Sequence, residues 1–447
     1  MAMFTAYVVL FLAAKVAVQP ILAANAVAPT PPMGWNSWDA YGTTVTEEEV
    51  KANARFMAKY LKPYGWQFVV VDIQWYEPNA KAHGYRPGAE LTMDGYGRLT
   101  PAVNRFPSAQ DGRGFKPLAD AIHALGLKFG IHILRGIPRQ AVRDNMPILG
   151  AGVHAADIAD RQSVCPWNID MYGVDMNKPG AQEYYNSIAS LYADWGVDFI
   201  KADDETAPVT HRDEIVALDR AIQKTGRPMV LSLSPGPARV EDAQLLRENA
   251  QMWRVSDDLW DEWKALRNAF HLLPGWAPFV KPGSWPDADM LPMGHIGLRA
   301  ERGDDRKSRF TADEQRTLLS LWSIARSPLI FGGDLPTSDP ATIELLTNGE
   351  VLAVDQKAAN SRQLFSRGDQ IGWTSDVVDS RDKYLAVFNV GDKEPADISV
   401  LWKDLNLKGP VRVRDLWQHR DIGSFANGYR APVPAHGAGL FRLTPQR

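Results

Sequence analysis

Over about 300 residues, short apolar runs that end in acids or turn residues alternate with amphipathic segments of helical length. Runs of this kind read as strands of a parallel sheet buried on both faces, with the segments between them as crossover helices. The strand candidates are 33–35, 68–72, 127–133, 197–203, 229–234, 252–256, 277–281 and 328–331. Helices are expected over 118–125, 184–195, 215–224, 241–249, 262–269 and 312–326, and a capping-box sequence at Thr46-Glu47-Glu48-Glu49 opens another. Eight strands, with acids recurring at their ends, favour a closed (β/α)8 TIM barrel over an open doubly wound sheet. No glycine-rich loop follows any strand. Gly150-Ala151-Gly152 lacks the strand-to-helix setting of a dinucleotide or phosphate site.

Near residue 340 the pattern changes. Short alternating runs at 371–373, 384–389, 398–402, 411–416 and 439–443, separated by turn residues, predict an antiparallel β domain of about a hundred residues. The expected organisation is a barrel over 27–338 and a β domain over 345–447. At the other end, residues 4–24 are almost wholly apolar and lead into Ala24-Asn25-Ala26, which reads as an export signal cleaved after Ala26. Lys15 interrupts this run and weighs more against a membrane anchor than against a signal. Cys165 is the only cysteine, so no intrachain disulfide can form, which fits a bacterial periplasm or medium. The net charge of −4 calls for neither nucleic acid nor an anionic membrane as partner.

Chemistry concentrates at 196–205, GVDFIKADDE, where an apolar strand delivers a lysine and three acids to its carboxyl end. Lys201 and Asp203 are two apart and share one face of the strand, which makes them functional candidates. Asp204 and Glu205 are read as helix-capping or solvent-facing acids. Cleaving a glycosidic bond needs one carboxylate as nucleophile and a second carboxyl group as proton donor. The second candidate is Asp258, in Trp253-Arg254-Val255-Ser256-Asp257-Asp258, with Asp257 as its rival. Arg254, four residues earlier, suits substrate hydroxyls or a carboxylate held ionised. His123 and His132 lie on apolar elements without ligand spacing and are read as core or pocket-wall residues.

The motifs PPMGWNSW (31–38), VVVDIQWY (69–76), WGVDFIKADD (195–204), WRVSDD (253–258), WPDADML (285–291) and NGEVLAVDQ (348–356) occur in one order over nearly the whole chain. In them the sequence resembles glycoside hydrolase family 27, the retaining α-galactosidases and α-N-acetylgalactosaminidases. That resemblance implies a (β/α)8 barrel followed by an antiparallel β-sandwich. It implies Asp203 as nucleophile and Asp258, not Asp257, as acid/base, with Trp38, Asp72, Lys201, Arg254 and Asp289 lining the sugar pocket. It requires no metal or organic cofactor. The implied partner is a carbohydrate with a terminal α-galactosyl-type residue.

Three positions depart from the family pattern. Asp72-Ile73 replaces two successive acids, which removes a hydroxyl contact and opens the specificity at the 4- and 6-positions of the sugar. Ser234 stands where α-galactosidases often place a glutamate near the 2-position. A small residue there resembles the N-acetylgalactosaminidase pattern, although such a wall discriminates by only ~1–3 kcal/mol. Glu205 replaces a cysteine that pairs in many members, and Cys165, near its expected partner position, is left single. The expected activity is an α-galactosidase. The alternatives are an α-N-acetylgalactosaminidase or a β-L-arabinopyranosidase, the latter tolerating weakened C6 recognition at Ile73, and more remotely a non-catalytic sugar-binding protein.

Overall fold

The computed structural model describes residues 27–392 and 395–446, so the expected export signal lies outside the described residues. Eight parallel strands form one curled sheet: β1 (Met33–Asn36), β2 (Phe68–Val71), β3 (Lys128–Leu134), β4 (Phe199–Asp203), β5 (Val230–Leu233), β6 (Met252–Arg254), β7 (Trp285–Asp287) and β8 (Leu329–Phe331). Their order is β7-β6-β5-β4-β3-β2-β1-β8. The ring closes just beyond β7, where the Leu291 amide donates to the Ile330 carbonyl at 2.7 Å and Leu291 bridges Phe331 in parallel. Outside the sheet lie α1 (Glu47–Tyr60), α2 (Lys116–Ala124), α3 (Ala181–Trp195), α4 (Arg212–Thr225), α5 (Ala243–Asn249), α6 (Trp263–Trp276) and α7 (Ala312–Ala325). The capping box of α1 forms as expected, with Thr46 N donating to Glu49 Oε2 at 2.9 Å.

The strand expected at 277–281 is a 3-10 turn, Ala277–Phe279, that follows α6. Pro278 has no amide to give a central ladder, and α6 runs on to Trp276 instead of ending near residue 269. The seventh strand is Trp285–Asp287. It too contains a proline, Pro286, but it pairs with β6 alone, at the seam where one ladder side is open.

Polarity is sorted along the barrel axis. The first residues of β2, β4, β5, β6 and β7 are Phe68, Phe199, Val230, Met252 and Trp285, and with Val70 and Ala28 they form an apolar plug closing one end. The other ends of the strands carry Asn36, Asp72, Asp203, Ser234, Arg254 and Asp287. Hydrophobic burial thus seals the amino-terminal mouth, and the acidic strand ends are delivered to the opposite one.

Two helices, α8 (Pro340–Leu346) and α9 (Gly349–Lys357), lead to an antiparallel β-sandwich. Its strands are β9 (Ala358–Arg367), β10 (Gln370–Val377), β11 (Lys383–Asn389), β12 (Ala396–Leu401), β13 (Val411–Asp415), β14 (Arg420–Phe425), β15 (Gly428–Val433) and β16 (Ala438–Pro445). One sheet runs β9-β10-β11-β16-β13-β14, and β12 pairs with β15 in the other. Leu385, Val387, Val413 and Leu443 from the first meet Ile398, Val400 and Val433 from the second, as inward alternate positions should. Phe270 of α6 packs edge-on against Phe388, and the Trp417 indole donates to Ser320 Oγ of α7 at 2.9 Å, joining the two domains. Among the described residues, no helix is long and apolar enough to cross a membrane.

Candidate functional site

At the carboxyl ends of the barrel strands lies a pocket of about 500 Å³. All eight candidate residues (Trp38, Asp72, Lys201, Asp203, Ser234, Arg254, Asp258 and Asp289) line it. They arrive from six of the barrel strands or the loops that follow them.

Asp203, last residue of β4, has only 10% of its side chain exposed. Its Oδ2 lies 2.8 Å from His132 Nε2. An ionised carboxylate only accepts, so Nε2 carries the hydrogen. Burial pushes the Asp203 carboxyl up, but the ammonium of Lys201 and then His132 outweigh it and hold the group well below the usual carboxylate range, with a smaller contribution from Ser234. Oδ1 makes no hydrogen bond of ordinary geometry among the described residues, and the residue lines the pocket.

Lys201 points from the same face of β4 and donates from Nζ to Asp72 Oδ2 at 2.9 Å. Burial would lower its pKa; Asp72, then Asp203, hold it above its ordinary range, so it is a fixed cation. Asp72 is fully determined by its neighbours. Its Oδ2 also accepts from Asn36 Nδ2 at 2.6 Å, its Oδ1 from the Ile73 amide at 2.8 Å, and its own amide donates to Ser37 Oγ at 3.0 Å. Ile73 itself is 1% exposed and contributes an apolar surface to the pocket beside that carboxylate.

Arg254 organises the opposite wall. Its Nη1 lies 2.7 Å from Asp289 Oδ1, and its Nη2 donates to Asp258 Oδ1 and to the Ser256 carbonyl, each at 3.1 Å. Burial works against the guanidinium charge, but Asp289, Asp258 and Asp287 together raise its pKa. Asp289 is held by the Leu259 amide at 2.6 Å, and its backbone adopts a φ of 96°, a conformation a non-glycine residue takes only when its surroundings enforce it. Burial raises the carboxyls of Asp289 and Asp287, the latter to about 6, against the pull of Arg254. Asp258 differs from Asp203 in depth, with 38% of its side chain exposed near the mouth. The adjacent Asp257 also reaches the pocket rim; its Oδ1 accepts from the Asp258 amide at 2.9 Å.

Ser234 closes the side beneath Pro235-Gly236-Pro237. A side chain at residue 236 would meet the Ser256 carbonyl at 2.0 Å, so only glycine lets this loop lie against the segment that carries Asp258.

Several contributors carry no sequence pattern. Asp39 reaches the pocket with its carboxyl pushed well up by burial and by Asp289, its Oδ2 unpartnered among the described residues. Tyr85 and Trp167 come from long irregular loops, as do Glu301 and Arg302. For His132, a signal was present. It stands on the register position opposite Lys201, so the two-residue alternation of β3 turns it toward the same interior.

The residues after β4 do not behave as expected. Asp204 and Glu205 neither cap a helix nor face solvent; they are 2% and 0% exposed. Arg135 lies behind them, its Nη2 2.6 Å from Asp204 Oδ2 and its Nη1 2.5 Å from Glu214 Oε1. Burial, reinforced by Glu214, pushes the Glu205 carboxyl far up, toward the neutral form that a site without hydrogen-bond partners demands. Cys165 is buried and unpaired beside Asp204, its thiol raised by burial to about 12. Among the described residues, no group of three His, Cys, Asp or Glu side chains is arranged to hold a metal ion.

The arrangement can do two-carboxylate chemistry on a small ring. It pairs an ionised, deep carboxylate with a second carboxyl at the mouth, and fixed cations stand beside both. The family described as "Alpha galactosidase A" matches residues 168–357, and "Alpha galactosidase C-terminal beta sandwich domain" matches residues 367–443. A solved GH27 β-L-arabinopyranosidase from Geobacillus stearothermophilus is 55% identical, with 94% of this chain and 97% of that chain covered and a TM-score of 0.92. A candidate α-N-acetylgalactosaminidase from Bacillus halodurans C-125 is 48% identical over 93% of this chain and 98% of that chain, with a TM-score of 0.85. An α-galactosidase of Cyamopsis tetragonoloba is 28% identical over 96% of this chain and 90% of its own. The chain belongs to glycoside hydrolase family 27 and is a retaining exo-glycosidase of that family's type.

Proposed function

We propose that the protein releases terminal β-L-arabinopyranosyl residues, with Asp203 as nucleophile and Asp258 as acid/base. The observation that carries this reading is Ile73. β-L-Arabinopyranose has the ring configuration of α-D-galactopyranose but a hydrogen where galactose has its hydroxymethyl group. An acid after Asp72 would bind that primary hydroxyl, whereas a buried isoleucine offers it nothing and packs instead against an unsubstituted ring carbon. The 55% identity to the Geobacillus enzyme supports the same sugar. It replaces α-D-galactose, the substrate first expected from the family, as the preferred one.

In this reading the Asp203 carboxylate attacks the anomeric carbon while Asp258 gives its proton to the departing oxygen. The glycosyl-enzyme ester is then opened by water, from which Asp258 takes a proton, and two inversions give net retention. Lys201 keeps Asp203 ionised, and Asp72 accepts from hydroxyls at the far end of the ring. Arg254 orients Asp258 and holds Asp289. The apolar stretch at residues 4–24 supports export as the setting.

A second reading, α-N-acetylgalactosaminidase, is favoured by the small Ser234 and by the Bacillus halodurans relative. Nitrophenyl β-L-arabinopyranoside, α-D-galactopyranoside and N-acetyl-α-D-galactosaminide, compared by kcat/KM, separate the three sugars. The pentoside is expected to be the best substrate. A higher kcat/KM on either hexoside overturns the proposal in favour of that sugar.

A further inference from the structure

The backbone around Asp203 is pinned peptide by peptide. The Ser234 amide donates to the Ala202 carbonyl at 2.8 Å, the Arg135 amide to the Asp203 carbonyl at 2.9 Å, and the Glu205 amide to the Ser234 carbonyl at 2.9 Å. Arg135 Nε takes the next carbonyl, that of Asp204, at 2.9 Å. The turn after β3 and the end of β5, which flank β4 in the sheet, thus grip the chain on both sides of the carboxylate. Directly after Asp203 the chain bends sharply. Asp204 has a φ of 64°, a left-handed conformation that a residue with a side chain keeps only when its surroundings enforce it. Its carboxylate lies against the same guanidinium, with Nε and Nη2 of Arg135 3.1 and 2.6 Å from Oδ2.

Arg135 is itself anchored. Its side chain is 1% exposed, and Nη1 lies 2.5 Å from Glu214 Oε1 in the first turn of α4. Glu214 Oε2 accepts in turn from the Tyr185 hydroxyl of α3 at 2.6 Å and from the Val174 amide at 3.0 Å. Burial works against the guanidinium charge, but Glu214, then Asp204 and Glu205, outweigh it and raise its pKa. A planar guanidinium donates from three nitrogens in a fixed fork, so it can hold one carbonyl and two carboxylates together. The compact ammonium of a lysine cannot reach all three from one place. Arg135 is not one of the residues lining the pocket, so its effect on turnover must pass through the chain it holds.

We propose that Arg135 is a positioning residue for the nucleophile: with Asp204 it forms a clamp, anchored through Glu214 to α3 and α4, that sets where the Asp203 carboxylate stands relative to the anomeric carbon. The inference rests on the assignment of Asp203 as nucleophile under the proposed function. Asp204 is its immediate neighbour, so a shift of the clamp moves the Asp203 backbone directly. Attack geometry tolerates little error, and a misplacement of about 1 Å costs on the order of 100-fold in rate.

The test compares Arg135→Lys, Asp204→Ala and Asp204→Asn on the nitrophenyl glycoside of whichever sugar the wild-type enzyme turns over best. Asparagine keeps an acceptor for Nη2 and tolerates the left-handed backbone, whereas alanine does neither. Rates are taken well below each variant's thermal midpoint, so that only folded enzyme is compared. Arg135→Lys and Asp204→Ala are expected to lower kcat at least about tenfold, with the inhibition constant of the free sugar within about threefold of wild type. Asp204→Asn is expected to recover most of kcat. A purely structural role would lower the midpoint and leave kcat unchanged, and that result overturns the proposal. So does a loss of sugar binding as large as the loss of kcat, which would mean that the pocket itself has collapsed. Should Arg135→Lys fail to fold, the two Asp204 variants carry the same comparison. Asp203→Asn is run beside them: turnover surviving there removes the nucleophile assignment, whereas loss there with wild-type kcat in Asp204→Ala removes only the clamp.

Discussion

Replacing Ile73 by aspartate tests the specificity argument at its narrowest point. The side chain is 1% exposed, and its backbone amide already donates to Asp72 Oδ1 at 2.8 Å, so the new carboxylate would stand beside Asp72. On a galactoside it gains a charged acceptor for the primary hydroxyl, a bond of about 1.5–3 kcal/mol, equivalent to about 10- to 150-fold in kcat/KM. On the pentoside it gains no partner and loses the apolar contact of the isoleucine, about 1.5–3 kcal/mol if that contact is fully made. The single ammonium of Lys201, 2.9 Å from Asp72, must then serve two acids, which lowers absolute rates on both sugars. The ratio of the two specificity constants cancels that common loss. The α-galactoside to β-L-arabinopyranoside ratio of kcat/KM is therefore expected to rise at least about tenfold in Ile73→Asp. Ile73→Asn, neutral and of similar shape, should move it in the same direction by less. Nitrophenyl glycosides of the two sugars, with circular dichroism to establish that both variants fold, suffice for the assay. A ratio that stays put or falls would show that residue 73 does not face C5 of the bound ring, and the physical basis for preferring a pentose would be gone.

The two carboxylates make separable predictions. Asp203→Asn should abolish turnover of activated and unactivated glycosides alike, whereas Asp258→Ala should slow an alkyl or sugar leaving group far more than nitrophenolate. Equal losses on both leaving groups would pass the acid role to Asp257. Asp287 predicts a stability slope. Burial raises its folded carboxyl from an ordinary value near 3.8 to about 6. The folded chain therefore binds that proton more tightly than the unfolded one. The stabilisation is complete below the unfolded pKa and is lost as pH rises through about 6, up to about 3 kcal/mol. Asp287→Asn, which keeps an oxygen to accept the Asp289 amide, should flatten the fall in urea stability between pH 4.5 and 7; parallel slopes in wild type and variant would refute the assignment.

The strand ends were legible because a parallel barrel imposes a one-dimensional rule. An apolar run must be buried, and the polar residue that ends it emerges at one rim, which places Asp72, Lys201 and Asp203 in the pocket; Trp38, Ser234 and Asp289 come only from the family resemblance, and Asp289 follows a strand, Trp285–Asp287, that the apolar-run pattern misses. The rule fails where a side chain's meaning depends on a partner brought from elsewhere. The two acids after Asp203 read as helix-capping or solvent-facing because an unpaired buried carboxylate is so unfavourable. For Asp204 that premise is removed by Arg135, 69 residues away, at the turn after β3. For Glu205 it is weakened, since burial pushes its carboxyl toward the neutral form, which is less costly to bury. Tyr85 and Trp167 escape the rule altogether, because irregular loops have no period that turns a ring inward or outward. What identifies these two is a stacking partner, and the stack begins at Trp38, the only one of the three rings that lies in a recognisable motif. The part of the site nearest the barrel axis is thus written in strand periodicity. The outer aromatic part is written only in contacts between loops, where no strand register fixes which way a ring turns.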